Sequence, residues 1–120
     1  VALVVLDLDG DGDERTGWNV FYLHLESGTY PSVGTKLKAG DKIGRPSCEG
    51  GRSTGTHVHI ARKYNGEWIL ADGALALNLE GWMCSNGAEP YEGLLSRNGR
   101  TVSACVCSDQ ASQLQSTSDQ

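Results

Sequence analysis

The chain has 120 residues, a formal net charge of −5 and 38% hydrophobic residues. That length suits one small domain, and the acidic balance argues against nucleic acid as a partner, because phosphate recognition wants a clustered basic face. No stretch of about 18 apolar residues is present, so no membrane-spanning helix is expected, and the opening residues lack the charged, apolar and small-residue order of a signal peptide.

The chain opens on the apolar run Val1-Ala2-Leu3-Val4-Val5-Leu6, which reads as a strand through residue 8, buried on both faces. An opening inside a strand, with no Met, reads as a piece of a longer or processed polypeptide. Asp9-Gly10-Asp11-Gly12-Asp13-Glu14 is a turn, since Asp and Gly tolerate positive φ and Asp caps its own backbone. Gly17 to Leu25 reads as the returning strand of a hairpin. Its alternation puts Trp18, Val20, Tyr22 and His24 on one face and Asn19, Phe21, Leu23 and Leu25 on the other. Residues 33–44 carry apolar contacts at Val33, Leu37 and Ile43 between glycine turns, a pattern of tight turns wrapping a small barrel or sandwich. Pro46 to Thr56 is a Gly/Ser-rich loop, and Thr56 to Arg62 alternates as a strand. Asn65-Gly66 is a two-residue hairpin turn leading into Glu67 to Leu70.

After Asp72-Gly73 the character changes. Ala74 to Leu79 is apolar, and Leu94-Leu95 and Thr101 to Cys107 read as strands joined at Asn98-Gly99. Ser108 to Gln120 is Ser, Gln and Asp with one Leu, too polar to offset its ordering entropy. Trp68 and Trp82 read as core or hairpin-packing residues. The expected fold is all-β: an antiparallel sheet or small barrel-sandwich of hairpins over residues 1–72, a β-rich extension over 73–107 and a disordered tail over 108–120.

The four cysteines, Cys48, Cys84, Cys105 and Cys107, contain no C-x-x-C pair and so no zinc-ribbon spacing. As disulfide candidates they allow three connectivities and point to an oxidising compartment. Glu49, next to Cys48, reads as a solvated loop acid or as the border of a groove. Asp7, Asp9, Asp11 and Asp13 place oxygens at alternate positions, with Gly12 for a sharp turn, as at the start of an EF-hand-type calcium loop. The twelfth position from Asp7 is Trp18, so the closing bidentate Glu is missing, and the plainer reading is a solvated acidic turn.

Three histidines exist: His24, His57 and His59. His57 and His59 are two apart on a strand and share a face. Paired imidazoles make a poor core but suit a metal or a reacting group. The stretch Gly51-Arg52-Ser53-Thr54-Gly55-Thr56-His57-Val58-His59-Ile60, preceded by Tyr22-Leu23-His24-Leu25 and a glycine-punctuated connection over residues 33–44, resembles the lysostaphin-type zinc endopeptidases. The likeness covers roughly residues 1 to 70.

The resemblance implies that His59 ligates zinc and that His57 and His24 are the catalytic imidazoles beside the zinc-bound water. It implies metal-assisted hydrolysis of peptide bonds in peptidoglycan, or in another glycine-containing peptide, by a protein of the cell envelope or extracellular space. Zinc lowers the pKa of its bound water to about 7, and imidazoles exchange protons and steady the oxyanion. The family's other two ligands, from an H-x-x-x-D element, lie N-terminal to the Tyr-x-His strand, and residues 1–21 hold no histidine. The expectation is a chain that alone does not hold zinc in the family's manner. The alternatives are a non-catalytic relative that binds cell-wall peptide or serves structurally, and a zinc site made by His24, His57 and His59 themselves.

Overall fold

The computed structural model describes residues 3–50, 56–89 and 92–104. Their regular elements are all strands: β1 (Leu3–Asp7), β2 (Trp18–Leu23), β3 (His59–Tyr64), β4 (Glu67–Ile69), β5 (Asn78–Leu79), β6 (Trp82–Asn86), β7 (Gly93–Arg97) and β8 (Arg100–Ser103). The all-β expectation holds, in the form of two antiparallel four-stranded sheets ordered β1-β2-β3-β4 and β5-β6-β7-β8. The chain divides into two compact units between Ile69 and Leu70. The expected tail over 108–120 lies outside the described residues.

In the first unit, register decides which side chains meet. Leu23 pairs with His59, Phe21 with Ala61 and Asn19 with Lys63. Residues directly opposite in an antiparallel pair share a face. One face therefore carries Asn19, Phe21, Leu23, His59 and Lys63, and Trp68 joins it opposite Lys63. There the Phe21 and Trp68 rings pack 5.0 Å apart, and the Lys63 ammonium sits 4.5 Å from the Trp68 ring centre. The other face carries Trp18, Tyr22, Ile60 and Tyr64, with Trp18 and Tyr64 packed 4.9 Å apart. Phe21 and Leu25 are buried, each contributing about 2 kcal/mol by removing apolar surface from water.

The β3–β4 hairpin turns at Asn65-Gly66 with φ of 48° and 81°, the double positive φ of a type I′ turn. In the second unit, the same signature recurs at Glu80-Gly81 (52° and 91°) between β5 and β6 and at Asn98-Gly99 (51° and 78°) between β7 and β8. Trp82 opens β6 buried at 3% exposure, with the Arg97 and Arg100 guanidinium groups 4.9 and 5.7 Å from its ring centre. Trp68, by contrast, packs on its hairpin while staying 62% exposed.

Three expectations are corrected. β1 is an edge strand pairing with β2, and Leu3 and Val5 stand exposed, so it is not buried on both faces. Val33 is fully exposed rather than an apolar contact, because residues 32–35 form a short turn closed by Thr35 N–H on the Ser32 carbonyl at 3.2 Å. His24 does not continue β2. The strand ends at Leu23, and His24 adopts a left-handed backbone with φ of 69°.

Candidate functional site

The site forms where β2 and β3 part. Leu23 opposite His59 is their last ladder pair. Beyond it, the Pro46–Ser47 segment is interposed: Leu25 bridges to Pro46, and Ser47 bridges to His57. Continued alternation would put His24 on the Tyr22 face, away from His59. The left-handed residue breaks the alternation instead. The His24 ring then lies 4.6 Å from the His57 ring and 6.2 Å from the His59 ring, centre to centre. All three sequence-predicted histidines are thus brought together.

They differ in setting. His24 is buried at 5% exposure, while His57 and His59 are exposed and flank the half-buried Val58. His59 is held below the ordinary histidine value, first by partial burial and then by the charges of His24 and His57. Its neutral form, with a lone pair to offer, is therefore favoured.

A second layer of polar groups holds His24. Ser47 donates to the His24 carbonyl from both its backbone N–H and its hydroxyl, each at 2.7 Å. The His24 Nδ1 lies 2.8 Å from the Glu49 carbonyl oxygen. That oxygen can only accept, so Nδ1 carries the hydrogen. The Glu49 carboxylate accepts from Ser27 N–H at 2.5 Å, and Glu49 N–H donates to the Ser47 hydroxyl at 3.0 Å. In the sequence Glu49 reads as a solvated acid or groove border, and Ser47 carries no functional signal. The pattern S-x-E ahead of H-x-H carries no local sign of contacts with a residue more than twenty positions away.

The acidic turn closes on itself. Asp7 accepts from Gly10 and Gly12 N–H at 3.2 and 2.6 Å, Asp9 from Asp11 N–H at 3.2 Å and Asp11 from Asp13 N–H at 2.8 Å. Thr16 hydroxyl donates to Asp11. Asp7, Asp9 and Asp11 bring carboxylate oxygens within 4.8 Å of one another, and among the described residues no other group of three or more His, Cys, Asp or Glu converges so closely. The three histidines are accordingly not a preformed three-ligand cage. Asp13 is turned away to Arg15, which donates to it at 2.9 and 3.0 Å and holds its carboxyl down at about 2. Contact with Asp9 lowers Asp7, and contact with Asp7 raises Asp9.

Of the cysteines, Cys48 carries an exposed free thiol with Sγ 3.9 Å from the Thr56 hydroxyl. Cys84 lies half-buried on β6, and Cys105 and Cys107 lie outside the described residues.

Fold and site together define an all-β protein with three imidazoles gathered where two strands diverge. Among known proteins, the chain is similar to Protease LasA from two strains of Pseudomonas aeruginosa, UCBPP-PA14 and PAO1. The identity to each is 37% over 65 residues, covering 49% of this chain and 16% of the relative. This chain therefore matches a small part of those proteases' length. No family model matches the chain. No solved structure matches it either. Among the described residues, no helix is long and apolar enough to cross a membrane.

Proposed function

We propose that this chain is the histidine-bearing part of a zinc metalloendopeptidase of the peptidoglycan-hydrolase type. The observation that carries the reading is the gathering of His24 and His57, with ring centres 4.6 Å apart, beside His59. The similarity to a protease over half the chain supports it. In this reading His59 is a zinc ligand through its neutral imidazole. His57 is placed to donate a hydrogen bond to the developing oxyanion, while His24 takes a proton from the nucleophile at Nε2 and returns it to the leaving amine. The substrate is a peptidoglycan peptide or another glycine-containing peptide, and the protein works outside the cell or in its envelope.

The residues present do not by themselves fit a catalytic zinc ion. Such a site uses three protein ligands and an open position. The chain has three histidines, and one of them, His24, has its Nδ1 engaged by the Glu49 carbonyl. Two further ligands would have to come from elsewhere in the whole protein. When bound there, zinc would supply a water acidic enough to act as nucleophile near neutral pH.

The test is twofold. The whole protein is expected to cleave glycine-containing cell-wall peptides, and His57→Ala or His24→Ala is expected to lower kcat by about 10²-fold or more. The 120-residue chain is expected to show no tight one-to-one zinc binding by calorimetry. Full cleavage by both alanine variants would sink the catalytic assignment. Tight binding by the chain alone would sink the partial-site reading. The shortfall of ligands favours one rival, a non-catalytic module that binds cell-wall peptide, for which the whole protein would bind such peptides without cleaving them.

A further inference from the structure

We propose that Ser47 and Glu49 are positioning residues that lock His24 into a single tautomer, with hydrogen on Nδ1 and Nε2 left as its proton acceptor. The inference deepens the peptidase reading and rests on it for its functional meaning, though not for its physical test.

A neutral imidazole carries one N–H and one lone pair, and which nitrogen holds which is set by the hydrogen bond made on the other side of the ring. For His24 that bond is the 2.8 Å contact from Nδ1 to the Glu49 carbonyl. A backbone carbonyl gives no choice of polarity, so the ring cannot accept there. The contact is useful only if the Glu49 carbonyl is held still, and the surrounding bonds do this. The Glu49 carboxylate grips Ser27 N–H at 2.5 Å, tying residue 49 to the turn that follows His24. The Ser47 hydroxyl accepts from Glu49 N–H at 3.0 Å while donating to the His24 carbonyl at 2.7 Å, so one oxygen couples the loop to the His24 backbone. Ser47 N–H adds a second bond to that carbonyl, also at 2.7 Å. Ring, carbonyl and following turn of His24 are thus held by a single short segment, residues 47–49.

The arrangement answers a need created by the backbone. His24 sits at φ of 69°, where an L-residue other than Gly is strained, and it is buried. Strain of that kind persists only where surrounding bonds over-determine it. With the His24 residue 5% exposed and Nδ1 held by the Glu49 carbonyl, its tautomer is set by a protein partner at that nitrogen. A donor–acceptor pattern fixed in advance is what general acid–base work at a single nitrogen requires.

The test uses 15N-resolved NMR of the His24 ring in the 120-residue chain near pH 8.5, about two units above the ordinary histidine value, where neutral rings dominate. The wild type is expected to show Nδ1–H with unprotonated Nε2. Glu49→Ala and Ser47→Ala are expected to shift His24 to a mixture containing Nε2–H, whereas Glu49→Gln, whose amide oxygen still accepts from Ser27 N–H, keeps the wild-type signature. A wild-type His24 with hydrogen on Nε2 would overturn the inference without any variant. So would wild-type spectra from both folded alanine variants. In the whole protein, Glu49→Ala is expected to lower kcat about tenfold with KM within about twofold, and Glu49→Gln to restore it. An unchanged kcat for Glu49→Ala would overturn the positioning role. If the whole protein cleaves no peptide, the peptidase reading falls while the tautomer result stands, so the two failures are distinguishable.

Discussion

The His24 ring centre lies 4.6 Å from that of His57, on a side of the sheet that regular strand alternation would deny it. Leu23 pairs with His59, so one more extended residue would send His24 to the Tyr22 face. The left-handed turn at His24, with φ of 69°, redirects the ring, and the Ser47 donors hold the turned carbonyl. A structural preference of this kind ranks substitutions by backbone tolerance rather than by size.

His24→Asn is accordingly expected to be more stable than His24→Val by about 1–2 kcal/mol, since Asn visits the left-handed region and a β-branched residue resists it. Thermal or urea unfolding of the 120-residue chain reads the difference. Equal stabilities would mean that residue 24 is not left-handed in solution.

Two glycines in the acidic turn separate backbone freedom from close approach. Gly10 and Gly17 both have positive φ, of 71° and 65°, but a methyl on Gly10 meets open space while one on Gly17 would overlap the Asp9 carboxylate. Both alanine variants should lose about 1 kcal/mol to the left-handed backbone. Gly17→Ala should lose more, because Asp9 must also move. Urea unfolding that ranks the two equally would remove the Asp9 contact from the account.

Asp13 carries a pH dependence. The Arg15 guanidinium holds its carboxyl at about 2, against 3.8 for an unperturbed Asp. The folded chain thus binds this proton less readily than the unfolded one. The stabilising contribution is complete above 3.8 and is lost as the pH falls from there toward about 2. Arg15→Ala is expected to return the Asp13 midpoint toward 3.8 in a carboxyl NMR titration. A midpoint still near 2 in that variant would show that Arg15 is not the cause.

Trp68 is exposed yet packed, with Phe21 5.0 Å away and the Lys63 ammonium 4.5 Å from its ring centre. Aromatic pairing contributes about 0.5–1.5 kcal/mol and an exposed cation–π contact about 0.5–1 kcal/mol. Trp68→Ala should therefore destabilise the chain by about 1–2 kcal/mol, and Lys63→Gln by no more than about 1 kcal/mol. Far-UV circular dichroism during denaturation measures both. A neutral Trp68→Ala would show that the ring is simply solvated.

Much of the fold was legible because its signals are local. Asn65-Gly66 and Asn98-Gly99 announce hairpins through residues that accept positive φ, and both turns are where the sequence puts them. Glu80-Gly81 makes the same turn without a local signal, since Glu is not a residue that favours it. The apolar run at β1 differs from its sequence expectation for a related reason: composition shows that a strand is apolar, whereas exposure of Leu3 and Val5 follows from its place at the sheet edge.

By itself, the sequence determined the all-β class, the main hairpin turns and the three histidines to watch, because strand periodicity and turn chemistry act over a few residues. Only the tertiary structure decided how those histidines meet. Where β2 and β3 part, the Leu25–Pro46 bridge and the Glu49 carbonyl on the His24 ring join positions more than twenty residues apart. A hydrogen bond of that reach depends on where the chain returns in space, and it outweighs the local alternation that would have turned His24 the other way.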